Sequence, residues 1–271
     1  MDAVAALRLQ VEWGVDEALA DAPVDRFLVP KASAAAPKVA AVAAEAPAVV
    51  PERPPQSRAV PARAPAIVPA PAQRAQEIAA ACTTREELRD ALAAFDGCPL
   101  SATATKLVFA DGNPESGLML VGEGPGAEED RAGLPFVGPS GQFLDRMLAS
   151  IGLDRTQYLI TNLIPWRPPG NRNPTDAEVV VCLPFLLRHI ALVRPKRLVL
   201  LGALSMKAVT GANAGITRVR GKWVEVAIPG LDRPVPALPM LHPAYLLRNH
   251  GAKRDAWADM ITLRRALDAG G

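Results

Sequence analysis

The stretch GLMLVGEGPGAEED, residues 117–130, decides the fold. Residues 117–121 form a short apolar run without polar alternation, the pattern of a strand buried on both faces, and Gly122 closes it. The same texture recurs outward along the chain. Residues 197–201, RLVLL, predict a second buried strand closed by Gly202, with a short helix to residue 209 behind it. Further strands are predicted at 158–163, 222–228 and 235–241. Helical periodicity fills the gaps at 140–151, at 175–193 behind a capping threonine, and at 252–267. Upstream, Thr83 or Thr84 caps a helix carrying Leu88, Leu92 and Phe95, with Glu86 and Glu87 in its first turn. Strands alternating with helices predict an α/β fold whose mainly parallel sheet is covered on both faces. Ligands of such sheets gather at the carboxyl ends of the strands, so the polar segments that follow strands are the places to look for a site.

The chain before this domain reads differently. Eleven of its 27 prolines fall between Pro23 and Pro71, in a stretch otherwise made of Ala, Val and scattered charge. Each proline removes a backbone donor and pushes its predecessor out of the helical region, so residues 23–76 read as a flexible, semi-extended linker. Before it, Val4, Leu7, Val11, Val15 and Leu19 recur at three- or four-residue steps beside Trp13. This predicts an amphipathic helix over residues 1–22, which docks on the main domain, on a partner protein or on nothing. Residues 77–271 form the third unit. With 30 Lys+Arg against 28 Asp+Glu the net charge is +2, so no global charge announces a partner. The first twenty residues lack the basic and apolar regions of a signal peptide, and no run of 18 apolar residues exists, so a soluble intracellular protein without a membrane partner is expected. Cys82, Cys98 and Cys182 suit a reducing compartment.

Three segments carry chemistry. The first, GEGPGAEED at 122–130, continues through RAGLPFVGPSG to Gly141. Its glycines let backbone approach a ligand, but the acids that follow are poor company for phosphate, and neither GK[ST] nor GxGxxG is present, so a nucleotide loop is disfavoured. The second, NLIPWRPPGNRNPT at 162–175, sets an asparagine at a strand end before a Pro-stiffened loop with Arg167 and Arg172. The third, HPAYLLRNHGAKR at 242–254, sets a histidine at a strand end with a helix start behind it.

In this order and spacing, GE-x-PG-x-x-ED, G-x-PFVG-x-x-G, N-x-x-x-x-RPP-x-NR-x-P and HPAYLLR together resemble family 4 of the uracil-DNA glycosylase superfamily, over residues 95–267. The resemblance implies a three-layer α/β/α sandwich that hydrolyses the N-glycosidic bond of deoxyuridine in DNA, leaving an abasic site. A cytoplasmic, nucleoid-associated monomer whose partner is uracil-containing DNA is expected; residues 1–75 lie outside the resemblance, and the Pro/Ala linker there is expected to tether the enzyme to a replication or repair protein. The base must be flipped into a pocket. Phe136 matches the ring on which uracil stacks, and Asn162 the amide that donates to O4 and accepts from N3–H, which cytosine would reverse. His242 matches the histidine that stabilises the departing uracil anion. Glu123 and Glu129 match the acids near the attacking water, with the choice between them open. Gly124 stands where another branch carries a water-orienting Asp. Asp130 is expected to cap the following turn. Gly124, Gly126 and Asn171 match substrate-side positions. Arg167, Arg172, Arg248, Lys253 and Arg254 are placed to meet phosphates. The stretch Tyr245 to Arg248 is expected to meet DNA, with Leu246 or Leu247 as a wedge or as core.

The pattern departs from the family at its metal. Family 4 proteins typically hold a [4Fe-4S] cluster on four cysteines, of which only Cys98 and Cys182 have counterparts here, with Phe95 and Trp166 at the other two positions. Cys82 precedes Phe95 by a probable helix and is a poor substitute. The expectation is therefore no cofactor, with the two aromatic rings filling the space and two thiols left buried. Two other readings stay open: a module that binds uracil or abasic DNA without turnover, and a glycosylase for another deaminated base.

Overall fold

The computed structural model describes residues 70–269. The predicted N-terminal helix and most of the predicted linker lie outside the described residues.

The described residues open with helices α1 (Ala70–Ala81) and α2 (Arg85–Ala93), then strands β1 (Ala110–Gly112) and β2 (Leu118–Gly122). Helices α3 (Ala127–Ala132) and α4 (Pro139–Ala149), strand β3 (Leu159–Asn162) and the long helix α5 (Asp176–Val193) follow. Strand β4 (Arg197–Leu201), helices α6 (Ala203–Thr210) and α7 (Ile216–Val219), and strands β5 (Val224–Val226) and β6 (Val235–Met240) come next. Helices α8 (Pro243–Arg248) and α9 (Lys253–Asp268) complete the domain.

Among the described residues six strands form one sheet in the order β1-β3-β2-β4-β6-β5. The inner four are parallel, and the short edge strands β1 and β5 pair antiparallel. Period-two alternation sorts the side chains of the inner strands into two layers. Met119, Val121, Leu198, Leu200 and Ala237 face one core, shared with Leu88, Phe185, Ile190 and Met206 of α2, α5 and α6. Leu118, Leu120, Val199, Leu201, Leu238 and Met240 face the other, shared with Leu144, Leu148, Met260 and Leu263 of α4 and α9. The expected α/β/α sandwich is thus the observed one.

Strand order reverses around β2, which has β3 on one side and β4 on the other. A crevice opens at the carboxyl ends of strands at such a switch point. All three segments singled out from the sequence start there, after β2, β3 and β6.

The linker boundary needs correction. The expected linker ran to residue 76, yet α1 begins at Ala70 and buries Ala72, Ala75 and Ala79. Pro71 sits in the first turn, where the missing N–H has no intrahelical partner to lose, so it opens the helix instead of breaking it. Strand 222–228 is also shorter than expected, at Val224–Val226. Thr84, not Thr83, caps α2, accepting from the Glu87 amide at 3.1 Å while Glu87 returns a bond to the Thr84 amide. Thr175 and Glu178 repeat this reciprocal cap at α5.

Candidate active site

The crevice is a cavity of about 550 Å3 lined by Glu123, Gly124, Gly126, Glu129, Phe136, Asn162, Asn171, Arg172, His242 and Arg248 among others. Every residue expected from the sequence to be catalytic or substrate-binding borders it.

Asn162 ends β3 opposite Gly122, the last residue of β2. Its side chain is buried, and among the described residues its Oδ1 is the one buried side-chain oxygen or nitrogen with no hydrogen-bond partner. Such a group costs about 1–3 kcal/mol to leave unpaired, so it implies a missing donor. Gly122 is the hub around which the site closes: a Cβ there would lie 2.4 Å from Asn162 Oδ1 and 2.5 Å from the Phe136 ring. The amide and the aromatic ring therefore converge on one point, and only glycine fits between them.

Phe136 is buried and stands 5.8 Å, centroid to centroid, from the His242 imidazole. His242 caps α8: the Ala244 N–H donates to its Nδ1 at 3.2 Å. Nδ1 is thus an acceptor, and the proton of the neutral ring sits on Nε2. Burial, helped by the Arg248 charge, holds the His242 pKa down to about 4. At neutral pH the ring is therefore an uncharged donor.

The acids divide by their partners. Glu129 is buried in α3 with both oxygens taken, Oε2 by the Gly126 N–H at 3.0 Å and Oε1 by the Gly138 N–H at 2.7 Å. It clamps the turn after β2 to the loop carrying Phe136. Asp130 accepts from the Thr105 and Lys106 amides at 2.7 and 3.2 Å and from Thr105 Oγ1 at 2.9 Å, so it secures the segment before β1, not the turn that follows it. Burial pushes its pKa up, but those hydrogen bonds outweigh it and the net shift is downward. Glu123 is half-buried and accepts from the Leu204 N–H at 2.9 Å, capping α6. Gly202, at φ +102°, allows this, since a Cβ there would lie 2.3 Å from Glu123 Oε1. Burial raises the Glu123 pKa against the downward pull of the Leu204 and Ala203 amides.

The basic residues are less uniform than the sequence suggested. Arg172 lines the cavity but forms a two-pronged pair with Glu178 at 2.9 and 2.6 Å, which drops the Glu178 pKa to about 2. Arg167 donates to Asn171 Oδ1 at 2.7 Å. Arg248 is exposed at the cavity, while Lys253 packs over the Phe143 ring at 5.5 Å. Leu246 is fully buried and belongs to the core, whereas Tyr245 and Leu247 are exposed on α8.

Cys98, Cys182, Phe95 and Trp166 all lie buried in one apolar cluster. The two sulfurs touch at 3.9 Å, and the Phe95 ring covers Gly97 so closely that a Cβ there would lie 2.4 Å from it. A four-thiolate cluster needs two more thiolates and space between the sulfurs. The residues present do not fit one. The hydrogen bond to Cys98, together with burial, pushes the Cys182 thiol up.

The model of the uracil DNA glycosylase superfamily matches residues 109–261, more than half of the chain. The chain belongs to this superfamily. The type-4 uracil-DNA glycosylase of Thermotoga maritima is 39% identical over 171 residues, covering 61% of this chain and 86% of that protein. The type-4 enzyme of Pyrobaculum aerophilum is 37% identical over 179 residues, covering 65% and 90% respectively. The type-5 uracil-DNA glycosylase of the same organism is 31% identical over 174 residues, covering 59% and 75%.

Within this superfamily site, sequence reasoning missed part of what the glycines do. Gly122 reads as a strand end that lets backbone approach a ligand, Gly202 as a strand terminator and Gly141 as a motif letter, yet each is also where a neighbouring backbone or side chain comes too close for a Cβ. It also missed Arg155, which touches the backbone of Phe136 from outside the cavity. No periodicity or motif marked that arginine.

Proposed function

We infer that this chain excises uracil from DNA, hydrolysing the N-glycosidic bond and leaving free uracil and an abasic site for base excision repair. The observation that carries the reading is the orphaned Oδ1 of Asn162, buried at the end of β3 beside Phe136. Uracil N3–H supplies the missing donor, and the amide nitrogen of Asn162 donates in turn to O4. Cytosine presents an acceptor at N3 and a donor at C4, so it meets a mismatch at both positions.

The geometry supports a mechanism in which these residues share the work. The flipped base stacks on Phe136 and is read by Asn162. As the glycosidic bond breaks, negative charge builds on uracil and positive charge on the sugar. His242 donates from Nε2 to uracil O2, and its depressed pKa keeps it a neutral donor already in place. Glu129, with both oxygens on backbone amides, positions the two loops. Glu123 borders the cavity and, unlike Glu129, does not have both oxygens on loop amides, which supports it as the acid that orients water, a role for which an oxocarbenium-like transition state needs little basicity. Gly124 and Gly126 let the sugar and backbone approach, Asn171 lies on the substrate side, and Arg248, exposed at the cavity, is the first to meet a phosphate, while Arg167, Arg172 and Lys253 are already engaged with Asn171, Glu178 and the Phe143 ring.

We propose that no iron–sulfur cluster takes part and that the enzyme acts as a monomer, with residues 1–22 reaching a replication or repair partner. The contact between Cys98 and Cys182 and the burial of Phe95 and Trp166 support the first point. Iron and acid-labile sulfide assayed on protein purified without oxygen should both be near zero, and stoichiometric iron would overturn it.

The activity test uses a labelled oligonucleotide carrying one uracil, treated with alkali after incubation in metal-free buffer. Wild type should give the cleaved product, and Asn162→Ala and His242→Ala should be crippled. Tight binding to uracil DNA without product would make this a binding module instead. Faster release of hypoxanthine than of uracil would move the specificity to another base.

A further inference from the structure

Phe136 has φ +56°, in the left-handed region that bulky side chains avoid. Among the described residues two other non-glycine positions share it, Asn171 and Arg194, and both are exposed. Phe136 alone adopts it while buried. Its backbone is pressed against α4, where a Cβ at position 141 would lie 1.9 Å from the Phe136 carbonyl oxygen, so Gly141 is required.

One side chain holds this conformation. Arg155 lies in the turn before β3, and its guanidinium donates to the Phe136 carbonyl and, at 3.3 Å, to the Pro135 carbonyl. The same fork is fixed from behind by Asp145 of α4, at 2.8 Å to Nε, and by Asp111 of β1, at 3.2 Å to Nη1. Tyr158 locks Asp145 in turn, its hydroxyl donating at 3.1 Å. None of Arg155, Asp111, Asp145 and Tyr158 borders the cavity. Their combined geometry ends at two adjacent carbonyls, those of Pro135 and of Phe136, whose ring borders the cavity.

We propose that Arg155 is a positioning residue for base recognition, acting through the Phe136 backbone. The proposal rests on the reading of Phe136 as the stacking ring. A φ near +56° sets the direction in which the ring leaves the chain. Released from Arg155, the backbone can return to negative φ, and the ring then leaves Gly122 and Asn162. A lysine keeps the charge between Asp111 and Asp145 but lacks the planar fork that bridges two carbonyls and a carboxylate.

The test is a mutant cycle on full-length protein, read by single-turnover excision at saturating uracil DNA and by affinity for undamaged DNA. Arg155→Gln should slow excision tenfold or more while changing that affinity less than twofold, and Arg155→Lys should restore only part of the rate. In the Phe136→Ala background, Arg155→Gln should change the rate less than twofold, because the ring it positions is gone. Losses that multiply in the double variant would overturn the proposal, as would a wild-type rate for Arg155→Gln. Phe136→Ala with a wild-type rate would sink the stacking reading, and the role of Arg155 with it. Should Arg155→Gln fail to fold by thermal melting, the same cycle is run with Arg155→Lys.

Discussion

Asn162→Ala should leave the protein at least as stable as wild type while disabling it. The Asn162 carbonyl oxygen is buried without a partner, a state that costs the free protein about 1–3 kcal/mol. Truncation to Ala removes that oxygen and opens its space to the cavity, so no closed void forms. Against this stand the lost packing of one side chain and the hydrogen-bonding ability of its nitrogen, which leaves a net gain of about 0–2 kcal/mol. For a domain of this size about 1 kcal/mol moves Tm by roughly 2–4 °C. In the complex the sign reverses. Uracil O4 and N3–H are left unpaired in a buried site at about 1–3 kcal/mol each, so kcat/KM should fall at least about thirtyfold. Differential scanning calorimetry and excision kinetics on the same preparations decide it. A Tm lowered by more than about 4 °C would mean that the free protein already satisfies Asn162. Unchanged kinetics would mean that uracil is read elsewhere.

Gly122→Ala should fold yet lose most activity, since its Cβ would press on both Asn162 Oδ1 and the Phe136 ring; near-normal excision rates would show that both can retreat without harm. Truncation distinguishes the two domain boundaries: removing residues 1–69 should preserve excision on a short oligonucleotide, while removing residues 1–76 takes away the first part of α1, with Ala72 and Ala75 in the core, and should lower Tm measurably. Stability should also respond to acid. The folded-state pKa of His242 is about 4 and that of His189 about 3, both below the unfolded value near 6.5, so the unfolded chain binds more protons between these limits. Stability from these groups is complete above pH about 6.5 and falls as pH drops toward 4 and then 3; His189→Phe should flatten the decline in a Tm series across that window.

The sheet was legible because its inner strands are short apolar runs closed by glycine, and because α2 and α5 begin with Thr and Glu in capping register. The elements that escaped lack those signals. β1 is Ala-Asp-Gly and exists only through pairing with β3, a contact no local pattern announces. α1 carries a proline where a linker is equally expected, and its burial depends on alanines that fit against α5. The site followed the same rule. The residues proposed to meet the ligand stood in motifs, whereas the contacts that Arg155 and Gly141 make with the backbone of Phe136 show only in three dimensions.

The two motif glutamates and the neighbouring aspartate bear on whether the domain turns over or merely binds. A descendant that only binds would be free to lose catalytic acids, so their presence counts as evidence for hydrolysis. The hydrogen bonds weaken that inference for two of the three. Glu129 holds two loops together and Asp130 secures the segment before β1, and any protein that uses this pocket needs both. Even Glu123 has a second task at the start of α6. The case for hydrolysis therefore falls on the group without structural alternatives for its free atom. His242 uses Nδ1 to cap α8 and leaves Nε2–H for the ligand, where binding gains little from a single neutral donor but a departing anion gains much. His242→Ala should accordingly cost far more in excision rate than in affinity for uracil DNA. Equal losses in the two would assign His242 to binding and return the burden of catalysis to Glu123.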